Sequence, residues 1–157
     1  MARNRSVSVE RVIPATAERI FDILADPSRH QDFDGSDTVR SARGEPTRLA
    51  MGSRFSMNMK MGVPYLISNK VVEFEENRLI AWRHFGRHIW RYELEPTEDG
   101  TRVRETFDWS TSLFPRGIEL MGYDRSHPAN MELTLQRLEA LVSDETEGPE
   151  SGRSQVS

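Results

Sequence analysis

An α+β fold, in which a curved antiparallel sheet of about seven strands wraps a long C-terminal helix, is predicted by three observations. From Gly52 to Trp109 the chain alternates in polarity with a period of two, as strands with one dry and one wet side do. Beyond Pro115 the apolar positions switch to helical spacing, with Ile118, Met121, Met131, Leu135, Leu138 and Val142 forming a stripe. One strand and two short helices stand ahead of the alternating region, so the order reads strand, two helices, six strands, helix. A sheet with one apolar face has to cover it, and the C-terminal helix is the element long enough to do so.

Residues 6–13 read as the first strand, stopped by Pro14, which lacks a ladder donor. Thr16 is placed to cap a helix that turns Ala17, Ile20, Phe21 and Leu24 to one side and Glu18, Arg19 and Asp22 to the other. Asp26-Pro27 then starts a second short helix reaching Phe33. Gly35 and residues 44–52 read as loops around a short strand at 38–43, and strands follow at 53–61, 65–75, 78–85, 88–95 and 101–110.

In the last hairpin, a loop at 97–100 sets Leu94 opposite Val103, Tyr92 opposite Glu105, Trp90 opposite Phe107 and His88 opposite Trp109. Arg91, Glu93, Glu95, Arg102, Arg104, Thr106 and Asp108 then face outward. The strand at 78–85 admits two registers: a two-residue turn brings Arg83 and Phe85 inward, a three-residue loop Ile80, Trp82 and His84. Burying an indole is worth roughly 2 to 3 kcal/mol, which favours the second.

Pro128 predicts a break or kink near 126–127 and a main helix over 128–143. From Asp144 the chain is polar and rich in Gly, Pro and Ser, so it is expected to be disordered. The domain organisation is thus a flexible start at 1–5, one domain at 6–143 and a tail at 144–157.

The 157 residues suffice for one core, and the net charge of −4 is spread without a basic block, so nucleic acid is not an expected partner. Cysteine is absent, which removes disulfides, thiolate nucleophiles and cysteine-bound zinc. No stretch reaches the roughly 20 apolar residues of a membrane span, so no membrane insertion and a cytoplasmic location are expected. Glycine-rich phosphate loops, Gly-x-Ser-x-Gly and His-Glu-x-x-His are missing, and neither a cofactor nor a metal is expected.

The candidate site lies on the inner face. Phe55, Met57, Met59 and Met61 form a flexible, polarizable stripe that reads equally as adaptable lining or as core filler. Trp82, Trp90, Tyr92 and Trp109, with Phe107, are suited to stacking on a ring system, Met121 and Met131 facing them from the helical region. Glu105 points inward, where an unpaired carboxylate is costly; it is either a general acid or base of raised pKa, or a glutamate at a wet pocket mouth. His84 and His88 flank the turn at 85–87 as candidate proton carriers or solvated histidines, while His30 and His127 read as capping or surface groups. Tyr123 and Asp124 are candidates for a gate.

With Ala25-Asp26-Pro27-Ser28-Arg29-His30, Gly100-Thr101-Arg102-Val103 and the element order, the chain resembles the SRPBCC or START-like superfamily, and within it the polyketide cyclase/dehydrase and lipid-transport branch. The resemblance spans residues 6–142 and implies the helix-grip fold. It also implies binding of a lipid, polyketide-like or other apolar or aromatic molecule between sheet and helix, for storage or transfer. A minority of that branch are aromatase/cyclases or dehydratases, which makes Glu105 with a histidine or tyrosine the acid-base alternative. An interaction module with a filled interior, and a homodimer, stay open.

Overall fold

Pro14 ends strand β1 (Ser6–Ile13), and helix α1 (Ala17–Leu24) starts almost at once. Thr16 caps it, its hydroxyl accepting from the Arg19 amide at 3.3 Å. Asp26 repeats the device by accepting from the Ser28 amide at 3.0 Å, and Pro27 opens a 3₁₀ turn (Pro27–Arg29) that runs into α2 (His30–Phe33). The computed structural model describes residues 5–34, 39–42, 48–61, 63–84, 88–111, 116 and 123–154, with backbone alone for 39–42, 58–61, 63–67, 84, 123–127 and 144–154.

Six further strands follow: β2 (Val39–Ala42), β3 (Arg54–Met61), β4 (Val63–Glu75), β5 (Leu79–His84), β6 (Ile89–Thr97) and β7 (Gly100–Asp108). They form one seven-stranded sheet in the order β1-β7-β6-β5-β4-β3-β2, with every neighbouring pair antiparallel. Consecutive hairpins account for every pairing except β1 with β7, which brings the start of the chain beside its last strand.

The β6–β7 register is the expected one: Leu94 pairs with Val103, Tyr92 with Glu105 and Trp90 with Phe107. Its loop is tighter than expected, because Thr97 and Gly100 still pair and only Glu98 and Asp99 lie between them. Trp82 pairs with Trp90 and Arg83 with Ile89, the three-residue reading of the β5–β6 loop; Ile80 and Trp82 are buried and Arg83 is exposed.

On the outer face one expectation fails. Thr106 is buried because Ser8 on β1 lies beside it and their hydroxyls bond at 2.8 Å. The same row continues through Arg91 and Ala81 to Glu73. Ala81 is short enough for Arg91 to reach across β5 and clasp Glu73, Nε donating to Oε1 at 3.1 Å and Nη2 to Oε2. This pair is only 23% and 33% exposed, against 69% and 56% for Arg78–Glu75. In urea titrations Glu73→Gln should therefore lower stability by about 1 kcal/mol, while Glu75→Gln changes it immeasurably. Equal losses would remove the claim that shielding makes the first bridge stronger.

The C-terminal helix, α3 (Tyr123–Ser154), packs on β1, α2 and β7 through Met131, Thr134, Leu135, Leu138 and Val142. Arg11 on β1 ties to Glu139 at 2.6 Å. The helix passes through Pro128 without the expected break, since proline removes one intrahelical bond while its neighbours persist. It also continues beyond the Ser143 predicted as its end, into the segment expected to be disordered. Helix propagation fixes one residue per hydrogen bond, so the end of the apolar stripe marks where packing stops and not where the helix must.

Candidate functional site

Alternation along β7 turns Val103, Glu105 and Phe107 to the inner face, and along β6 it turns Trp90, Tyr92 and Leu94 there. Opposite them stand His30 and Phe33 from α2 and Met131, Leu135 and Leu138 from α3. The buried apolar residues fall into two clusters, a large one holding Val103, Tyr92 and Trp82 and a small one of Phe107, Trp109 and Met131. Glu105 lies between them in the chain, with Val103 on one side and Phe107 on the other.

Glu105 is 2% exposed. Its Oε1 accepts from the Tyr92 hydroxyl at 2.9 Å, and its Oε2 is buried with no hydrogen-bond partner among the described residues. Burial pushes its carboxyl well above the ordinary range; the Tyr92 hydrogen bond pulls the other way, and the charge of Asp34 adds to the rise. Burial also raises Tyr92, helped by Glu105 and then Asp34. The surroundings thus favour a protonated Glu105. Asp34 ends α2, and its carbonyl accepts from the Arg137 guanidinium of α3.

The aromatic residues that the sequence singled out come together here. Trp82 lies 5.5 Å from Tyr92 and 5.7 Å from Phe55, and Phe107 lies 4.6 Å from Trp90 and 5.5 Å from Trp109, centroid to centroid. Met57 is buried with them on β3. Trp90 remains half-buried and touches both clusters, and His88 stands edge-on to Phe107 at 5.5 Å, also half-buried. Around Trp82 the inner face is buried, whereas Trp90 and His88 are half-buried. The side chains of Met59, Met61, His84, His127, Tyr123 and Asp124, and all of Met121 and Ile118, lie outside the described residues. A groove of about 440 Å³ occupies the opposite, outer face, lined by charged residues including Glu10, Glu75, Arg78, Glu93, Arg102 and Arg104.

His30 corrects the sequence reading. It is neither cap nor surface group but sits buried, its Nε2 donating to the Leu24 carbonyl at 2.9 Å and its ring stacked on Trp82 at 4.8 Å. Burial lowers its pKa from 6.5 to about 4, against the raising effects of the Leu24 bond, Asp26 and Asp34. Pro27, His30 and Phe33, all buried, recur every third residue, and that spacing was the available signal. Asn69 was also missed: it is buried on the inner face between Phe55 and His84, its Oδ1 without a partner among the described residues. Its odd-numbered parity with Val71 along β4 pointed there.

The profile of a family described as polyketide cyclase / dehydrase and lipid transport matches residues 4–143. The chain belongs to this family. Membership supports a domain of the hydrophobic-ligand-binding type. It is 41% identical over 139 residues to the uncharacterized protein Rv0088 of Mycobacterium tuberculosis, an alignment covering 85% of this chain and 61% of that one. The chain thus spans about three fifths of the length of that curated relative. Among solved structures, protein NE0264 from Nitrosomonas europaea superposes with a TM-score of 0.71 at 17% identity, covering 93% of this chain and 99% of that one. An AHSA1-like protein from Aeromonas hydrophila gives 0.66 at 18%, covering 90% and 94%. At such identities these two establish the shared fold. Among the described residues, no helix of this family member is long and apolar enough to cross a membrane.

Proposed function

We propose that the chain holds a hydrophobic or aromatic small molecule, a lipid or polyketide-like compound, between sheet and helix for storage or transfer. The observation that carries this reading is Glu105 Oε2, a buried oxygen left unpartnered among the described residues and set amid aromatic rings. In a core that only holds the fold together, such a group costs about 1 to 3 kcal/mol and contributes nothing in return. Trp90, half-buried where Trp82 and Tyr92 are buried, is the inner-face aromatic that a ligand would reach first from solvent. Native mass spectrometry of protein purified from its own host without added ligand should show an adduct of small-molecule mass. A clean unliganded mass from that host would count against a carrier.

A second reading is favoured by the same pair. A proton-bearing carboxyl bonded to a phenol hydroxyl is an acid-base arrangement suited to an aromatase/cyclase or a dehydratase. Glu105→Gln separates the two readings. The amide keeps a hydrogen-bond donor but moves no proton, so a carrier retains its adduct while an enzyme retains it and loses turnover.

A further inference from the structure

The polarity of the ligand can be read from which hydrogens the buried pair has already committed. Tyr92 and Glu105 face each other across β6 and β7, and the phenol hydrogen is used on Oε1 at 2.9 Å. The carboxyl's own hydrogen then belongs on Oε2, the oxygen that meets no acceptor among the described residues. A hydrogen-bond donor is therefore held inside an apolar shell, with Phe33 at 6.5 Å and Trp82 at 5.5 Å from the Tyr92 ring and Phe107 next along β7.

Charge decides what this donor accepts. Among the described residues, the side chain whose charge acts on both Tyr92 and Glu105 is Asp34, and no cation is among the groups acting on either. The nearby Arg137 guanidinium is engaged with the Asp34 carbonyl. An incoming carboxylate would lose its hydration and, at the Tyr92–Glu105 pair, meet the like charge of Asp34. A carbonyl oxygen accepts a hydrogen bond at far smaller desolvation cost. An alcohol would bring a hydrogen of its own into the ring-lined interior and need a second acceptor there.

Resting on the binding reading above, we propose that the site selects uncharged apolar molecules bearing a ketone or ester carbonyl, which accepts from Glu105 Oε2, and excludes the corresponding carboxylate anions, free fatty acids included. The test uses two probes of one shape, 2-acetylnaphthalene and 2-naphthoate, titrated into the full chain at pH 7.5 by calorimetry. The ketone should bind at least about tenfold more tightly, the fold-change that desolvating a carboxylate beside the Asp34 charge implies. Glu105→Leu should weaken the ketone roughly tenfold, and Glu105→Gln, which returns an N–H donor to the same place, should recover most of that loss. Naphthoate binding as tightly as the ketone would overturn this selectivity while leaving the binding reading in place. Failure of both probes to bind would overturn both. The wild-type ratio decides the matter even if the leucine variant does not fold.

Discussion

Gly100→Ala is expected to lower the unfolding free energy by about 3 kcal/mol or more in urea titrations, combining backbone strain with overpacking. Gly100 holds φ at +139°, a region that side-chain-bearing residues rarely adopt. A Cβ there would stand 2.2 Å from the Ile13 carbonyl oxygen and 2.8 Å from the Pro14 Cα. Both atoms are backbone, so no side chain can swing aside. The displacement would fall on the β1–β7 seam, where Ile13 pairs with Thr101 and the Thr101 hydroxyl donates to the Ala15 carbonyl at 2.8 Å. Gly52 is the control: its φ is +83°, but a Cβ added there would meet nothing within 4 Å among the described residues. Gly52→Ala should then lose only the conformational part, about 1 kcal/mol. Equal losses at the two positions would show that the close approach to Ile13 has no energetic weight. Because β7 also carries Glu105, a Gly100 variant that folds should bind ligand more weakly although no residue of the site is substituted.

Most of the fold is legible because it depends on short-range rules. Thr16 and Asp26 cap as their residue types suggest, Pro14 stops its strand, and polarity alternation sets the inward positions of β6 and β7. The register of β5 follows from a single comparison, since turning Trp82 outward would forfeit more burial than any alternative recovers. The candidate site is less legible, because residue type does not reveal a partner. His30 reads as a surface group until the chain brings Leu24's carbonyl to its Nε2 and Trp82 against its ring face. Thr106 sits at an outward position, and only the return of β1 beside β7 covers it. Asn69 carries a side chain poorly suited to strands yet occupies the parity of Val71. In each case a long-range pairing overrides a local preference. The reach of α3 past Val142 was hidden for the opposite reason: there is no apolar pattern there to read.

Between pH 4.5 and 6.5 two buried groups are expected to oppose each other, and removing either one should expose the other. The folded-state pKa of His30 is lowered from 6.5 to about 4. In that window the unfolded chain binds a proton at this residue that the folded chain does not, so stability rises with pH; its contribution is complete above 6.5 and is lost as pH falls toward 4. Glu105 has the reverse sign. Its folded pKa is raised well above 4.5, so the folded chain holds the extra proton, and the contribution present below 4.5 is lost as pH rises through the folded value. Glu105→Gln leaves the His30 slope alone, and its stability should climb relative to wild type as pH rises from 4.5 to 6.5, because only wild type keeps the opposing term. His30→Gln keeps a donor where Nε2 bonds the Leu24 carbonyl and should show the opposite trend, falling relative to wild type as pH rises. Urea titrations of the three proteins at pH 4.5, 5.5 and 6.5 measure both differences. Parallel curves would mean that these two groups titrate alike in the folded and unfolded chain, and the protonated Tyr92–Glu105 pair on which ligand selectivity rests would go with them.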